Sequence, residues 1–265
     1  MRNWLADALD TLKVGSPILM YHGVGTPAAH GEPRYTVSRT ALGGHLDALQ
    51  TAGVPVVSLP ALLGGDRGVC LTFDDGEATV AREAAPLVAR HRFPATVYVT
   101  AGFVGTPGYL TAGALRELRD AGWTIGAHGR THRYLPDLDP ADLTDELDGA
   151  RAALEDQLGA PVLHVSLPGG RGDARVTAAA RAAGYVSVAT SRPGLNRRVD
   201  PDGLERFAIR AGDDAARVLR LARGELRAIT RELAAARALE LGKRLLGNRR
   251  YEQARSRALA LLGRE

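Results

Sequence analysis

Short runs of Val, Ile, Leu and Ala alternate along this chain with longer stretches in which apolar residues recur at three- and four-residue spacing. The short runs fall at 16–21, 54–59, 69–73, 95–100, 123–126, 162–167, 185–189 and 206–210, and their β-branched content predicts strands. Between them, Ser38 caps a helix carrying Leu42, Leu46 and Leu49 and closed by Gly53. Val80, Ala84, Leu87 and Val88 mark a second helix over 79–91, and Thr111 caps a third carrying Leu115 and Leu118. Leu143, Leu147, Leu154 and Leu158 stack on a longer one, and 174–183 forms the last before Gly184. Strands alternating with helices imply βαβ units and parallel pairing. About seven such strands fit a closed or nearly closed α/β barrel better than an open sheet.

Two polar constellations sit at the C-terminal ends of these strands, the edge where α/β folds place their chemistry. Thr72-Phe73-Asp74-Asp75-Gly76 follows one apolar run with two adjacent carboxylates in a glycine-relieved turn. His128-Gly129-Arg130-Thr131-His132 follows another and sets two imidazoles four residues apart, a spacing that would put both on one side of a helical turn. Two neutral imidazoles and one carboxylate make a facial set for zinc or another divalent transition metal, with positions open to water and substrate. The bland readings are turn chemistry for Asp-Asp-Gly and a solvated histidine pair; the occurrence of both sets at strand ends favours the metal site.

These residues resemble the polysaccharide deacetylase (NodB-homology) carbohydrate esterases, over roughly residues 16–210. Thr72 to Gly76 is similar to the family's first motif and His128 to His132 to its second, with Gly129 where many members carry Ser or Thr. Pro168-Gly169-Gly170 looks like a reduced third motif, and Ile18-Leu19-Met20-Tyr21-His22 and 93–99 resemble one branch of the family. The resemblance implies a distorted (β/α) barrel and a hydrolase removing an N-acetyl group from an amino sugar. Asp75, His128 and His132 would be the metal ligands and Asp74 the general base acting on metal-activated water. Zinc is the expected ion, with cobalt, nickel and manganese as alternatives. The loop Pro168, Gly169, Gly170 and Arg171 would offer an oxyanion donor and meet substrate. Two departures stand out. Ser166 occupies the place where many members carry an Arg that orients the base, leaving Arg171 as the candidate substitute, and no His follows His164 to act as the late general acid. His22 is the substitute acid proposed from its position after the first strand. Deformylation of a formamido sugar and non-catalytic carbohydrate binding are the competing readings.

Composition adds three constraints. The single Cys70 excludes an internal disulfide framework and reads as a small buried hydrophobe. Apolar runs stop far short of the roughly twenty residues a membrane span needs. Residues 1–15 read as an amphipathic helix carrying Trp4, Leu5 and Leu9 rather than an export signal, so the expectation is a cytoplasmic protein. The barrel itself is assigned to 16–215. From Ala216 onward the chain carries thirteen Lys and Arg against five Asp and Glu, a charge of +8 within a whole-chain +4. This basic helical tail, 216–265, reads as a C-terminal extension packed on the barrel with a solvated basic face. The sharper alternative is peripheral contact with an anionic membrane surface. No nucleic-acid motif accompanies the basic residues, so the expected partner is an N-acylated amino sugar or glycan.

Overall fold

The computed structural model describes residues 15–27 and 31–246, with side chains described up to residue 238. The amphipathic reading of 1–15 therefore falls almost wholly outside the described residues, as does the second tail helix expected around Ala254 and Leu261.

Seven strands, β1 (Ile18–Tyr21), β2 (Cys70–Phe73), β3 (Thr96–Val99), β4 (Thr124–Ala127), β5 (His164–Ser166), β6 (Ser187–Ala189) and β7 (Phe207–Ala208), form one sheet. Their order is β6-β5-β4-β3-β2-β1-β7, and every neighbouring pair is parallel. The sheet curls until its edges nearly meet. Leu204, just before β7, bridges Ala189 of β6, with Leu204 N–H donating to Val188 O at 3.0 Å and Thr190 N–H to Leu204 O at 2.9 Å. This is the nearly closed barrel expected from the alternating pattern, in the distorted (β/α) form that the resemblance implied.

Strand parity divides the core in two. Leu19, Leu71, Phe73, Val97 and Val99 face outward and are buried beneath the helices. Ile18, Cys70, Tyr98, Ala189 and Leu204 face the barrel axis. Cys70 is buried and its thiol pKa is pushed up to about 12 by desolvation, as befits a small hydrophobe.

Helix starts are set by side-chain caps. Ser38 Oγ accepts from Ala41 N–H, Thr111 Oγ1 from Ala114 N–H and Asp139 Oδ1 from Asp142 N–H, each satisfying an otherwise orphaned amide. The long helix is Pro140–Thr144 and Ala150–Leu158 joined through a π-helical turn, Asp145–Gly149.

One strand expectation is overturned. Residues 54–59 make only a single bridge, Val56 to Val69, and Ser58 caps a short helix, Leu59–Leu63. Pro55 lacks an amide proton and Pro60 sits in the first turn of that helix, so the segment cannot sustain a ladder. After the barrel, helix Ala215–Ala222 packs on helix Arg39–Thr51, and Glu232 of helix Leu226–Leu246 accepts from Arg210 and Arg217. Among the described residues, no helix is long and apolar enough to cross a membrane.

Candidate metal centre

The strand parity that points Cys70 and Thr72 toward the axis continues to Asp74, which is 2% exposed at the C-terminal mouth. Asp74 N–H extends the ladder by donating to Tyr21 O at 2.9 Å. Asp75 would then point away, but its φ of 72° breaks the parity and swings its carboxylate back to the mouth. A left-handed Asp is uncommon and costs energy, and its occurrence here matches the tendency of such residues to gather at working sites.

On β4, Thr124 and Gly126 share a face that His128 prolongs inward. His128 is 2% exposed, and its Nδ1 lies 2.8 Å from Ser166 O on β5. A ring N–H donated to that carbonyl leaves Nε2 with its lone pair toward the mouth. His132 arrives by a different route from the one its spacing suggested. Residues 128–134 form a loop rather than a helical turn, with Gly129 at φ 72° and His132 at φ 64° reversing the chain. The two imidazoles converge all the same, their centroids 5.0 Å apart.

Asp75 Oδ1 lies 3.3 Å from both His128 Nε2 and His132 Nε2, and one donor atom from each residue falls within 4.8 Å of the others. Asp75 Oδ1 is buried and receives no hydrogen bond among the described residues. Burial would raise the Asp75 pKa, yet the two imidazoles and His22 hold it well below the ordinary carboxylate value. A buried anionic oxygen facing two nitrogen lone pairs fits a divalent cation, and two nitrogens with one oxygen suit zinc and its neighbours.

Asp74 is held apart from this set by an arginine that the sequence reading did not single out. Arg206, fully buried, forms a fork with Nη1 on Asp74 Oδ1 and Nη2 on Asp74 Oδ2, both at 2.7 Å. Its Nη2 also reaches Ser166 Oγ at 2.7 Å and its Nε donates to Thr190 O at 2.7 Å. Ser166 Oγ in turn donates to Asp74 Oδ2 at 3.1 Å. Desolvation pushes the Asp74 pKa up, but Arg206 foremost, then His128, outweigh it and leave the pKa below its ordinary value. Arg171 does not approach this carboxylate as a substitute would. Its guanidinium lies over the Tyr134 ring, 3.8 Å from the centroid. A cue for Arg206 was present: it stands among Leu204, Phe207 and Ile209 in an apolar strand end, and a cation there needs a buried anion.

His22 ends β1 at the same mouth, stacked on Tyr35 with centroids 4.9 Å apart. Its Nδ1 is buried without a hydrogen-bond partner among the described residues. Desolvation lowers its pKa against the pull of Asp75 and Asp74, so the resting ring is neutral. Pro168, Gly169 and Gly170 make a tight turn in which Gly170 N–H donates to Leu167 O at 2.7 Å. Pro168 packs close to Gly129, where an added Cβ would come within 3.3 Å of its Cγ.

Residues 64–188 match the family model described as polysaccharide deacetylase, a segment from β2 through β6 that contains Asp74, Asp75, His128 and His132 but neither His22 nor Arg206. YxkH of Bacillus subtilis (strain 168), which carries a polysaccharide deacetylase name, is 25% identical over 185 residues; the alignment covers 69% of this chain and 66% of YxkH. Among solved structures, the deacetylase PplD of Streptococcus pyogenes, in complex with acetate, has a TM-score of 0.72 at 22% identity, covering 79% of this chain and 98% of that one. IcaB from Ammonifex degensii has a TM-score of 0.69 at 25% identity, covering 79% and 97%. With its motifs seated at the mouth of the barrel, the segment 64–188 is similar to the polysaccharide deacetylase family.

Proposed function

We propose that this protein is a metal-dependent hydrolase that removes the N-acetyl group from an amino sugar or glycan. The carrying observation is the division of labour between adjacent carboxylates: Asp75 faces two imidazoles, while Asp74 is gripped by Arg206 and stays out of the set. A pure metal or sugar binder has no use for that second, ionised acid.

Asp75, His128 and His132 would hold the ion, whose contribution is Lewis acidity toward water and toward an acyl carbonyl. Asp74 then works as the general base. Its oxygens are fixed by the guanidinium fork, and its lowered pKa keeps it ionised at neutral pH, ready to take a proton from attacking water. Attack at the acyl carbon forms a C–O bond, collapse of the resulting tetrahedral adduct breaks the C–N bond, and the departing nitrogen needs one proton. His22 is assigned that delivery: neutral at rest, it passes on a proton received from the water by way of Asp74. Gly170 N–H is committed to the Pro168 turn, so Gly169 N–H is the loop amide assigned to the developing oxyanion. Pro168 sets the turn against Gly129, and Arg171 with Tyr134 flanks the sugar-facing side.

The decisive test is metal content and turnover on N-acetylated amino sugars, read as released acetate with formate measured in parallel. Wild type should hold about one equivalent of a divalent ion and release acetate. His132→Ala should lose the ion, and Asp74→Asn should keep it while losing turnover. Formate release would reassign the acyl group, and unchanged turnover in Asp74→Asn would remove Asp74 as the base.

A further inference from the structure

The loop from His128 to His132 has little structure of its own. It is not helical, it is reversed twice through left-handed backbone, and position 129 carries no side chain. The carbonyls of Gly129 and Arg130 accept from Ala101 and Gly102 N–H, and the amides of Arg130 and Thr131 are bonded by one residue fifteen to sixteen positions on. Glu146 Oε2 accepts from Arg130 N–H at 2.8 Å and from Thr131 N–H at 3.0 Å, while Oε1 accepts from the Thr131 hydroxyl. Glu146 is 1% exposed. Burying a carboxylate is costly unless it is hydrogen-bonded, and among the described residues its donors come from the loop between the two imidazoles.

The chain is arranged around that contact. Glu146 lies in the π-helical turn Asp145–Gly149, whose extra residue re-aims the side chains of an otherwise regular helix. A Cβ built on Gly129 would fall 2.9 Å from Glu146 Oε2, so a side chain there would occupy the space the carboxylate uses. The other ties between helix and loop, Arg130 with Asp145 and Arg133 with Asp142, are half-exposed ion pairs of small worth.

We infer that Glu146 is a positioning residue for the metal centre: its carboxylate braces the amides of Arg130 and Thr131 and so sets the spacing of His128 and His132 around the ion. The inference rests on the metal reading above. It deepens that reading by placing part of the centre's affinity on a side chain that touches neither ion nor substrate.

The test is metal affinity, measured on purified apoprotein by competition with a chromophoric zinc chelator, alongside urea unfolding of the same apoproteins. Glu146→Leu should weaken zinc binding about 10- to 100-fold, the range seen when groups supporting metal ligands are removed. Glu146→Gln keeps one acceptor oxygen for an amide and an NH2 that can donate to the Thr131 hydroxyl, so it should recover most of that loss at closely similar shape. Thr131→Val, removing the hydroxyl alone, should weaken binding by a few-fold with the fold intact. A folded Glu146→Leu or Thr131→Val that binds zinc as tightly as wild type overturns the brace while leaving the metal reading standing. Loss of unfolding free energy in a still-folded Glu146→Leu with no change in zinc affinity would assign Glu146 to the fold alone. A wild type that takes up no ion defeats both.

Discussion

Removing Arg206 and its partner Asp74 together should cost this protein less than the sum of removing each alone. The guanidinium is fully buried, and it satisfies Asp74 through two bonds of 2.7 Å while also serving Ser166 and Thr190. Arg206→Met leaves a carboxylate that is 2% exposed with no counter-ion, which costs about 3–5 kcal/mol. Asp74→Asn keeps the shape but leaves a buried guanidinium facing a neutral amide, at about 2–4 kcal/mol. The double variant removes both charges, so its cost should fall at least about 2 kcal/mol below the sum, a coupling typical of contacting charged residues. Urea unfolding of the four proteins, followed by far-UV circular dichroism without added metal, supplies the cycle. Arg206→Lys tests the geometry separately, since a single ammonium cannot reproduce a planar fork and should still lose about 1–3 kcal/mol. Additive single costs, or an Arg206→Lys as stable as wild type, would refute the claim that this pair is a specific buried fork.

Acid should destabilise the fold well above the carboxylate range. Burial lowers the His164 pKa from 6.5 to about 4, so the unfolded chain binds this proton first and stability falls as pH drops through that interval. The full shift amounts to about 3 kcal/mol, and His22 and His45 are displaced in the same direction. His164→Asn should flatten the slope between those pH values in urea titrations; an unchanged slope would show that His164 does not supply it. The carboxylate contributions of Asp74 and Asp75, whose folded pKa values are lowered, are lost only below the ordinary range. Gly126→Ala should destabilise by about 1–3 kcal/mol, because the new methyl would lie 2.5 Å from the Tyr98 ring, and wild-type stability would mean that the ring moves freely. Saturating zinc should raise the thermal midpoint of wild type by mass action and leave that of His132→Ala unmoved. Equal shifts in both would place the ion elsewhere.

The alternation of apolar runs was enough to recover all seven strands, because each lies in a short apolar run whose outward face is buried. The false strand at 54–59 shows the limit of that signal: its valines fit, but its prolines decide. Asp75, His128 and His132 were legible because each follows a strand end closely in sequence, so local pattern carries their placement. The route was not, since the left-handed Asp75 and His132 have no distinctive residue type to announce them. Arg206 and Glu146 were missed for a common reason. Each acts on a partner distant in sequence, Asp74 at 132 positions and the loop amides at 15 to 16, and only packing reveals such pairs.

The seam between Leu204 and β7 has a consequence for how the chain reaches its folded state. Arg206 lies between a residue that pairs with β6 and a strand that pairs with β1, so it docks only when the two edges of the sheet come together. Until then Asp74, made 132 residues earlier, has no cation to accompany it into the interior. A chain growing from its N-terminus would keep that carboxylate hydrated and its barrel open until the last strand is laid in. Contacts of such long range are slow to form. Pairing of Asp74 with Arg206 and completion of folding would thus arrive in a single event, and a partly synthesised chain would hold neither.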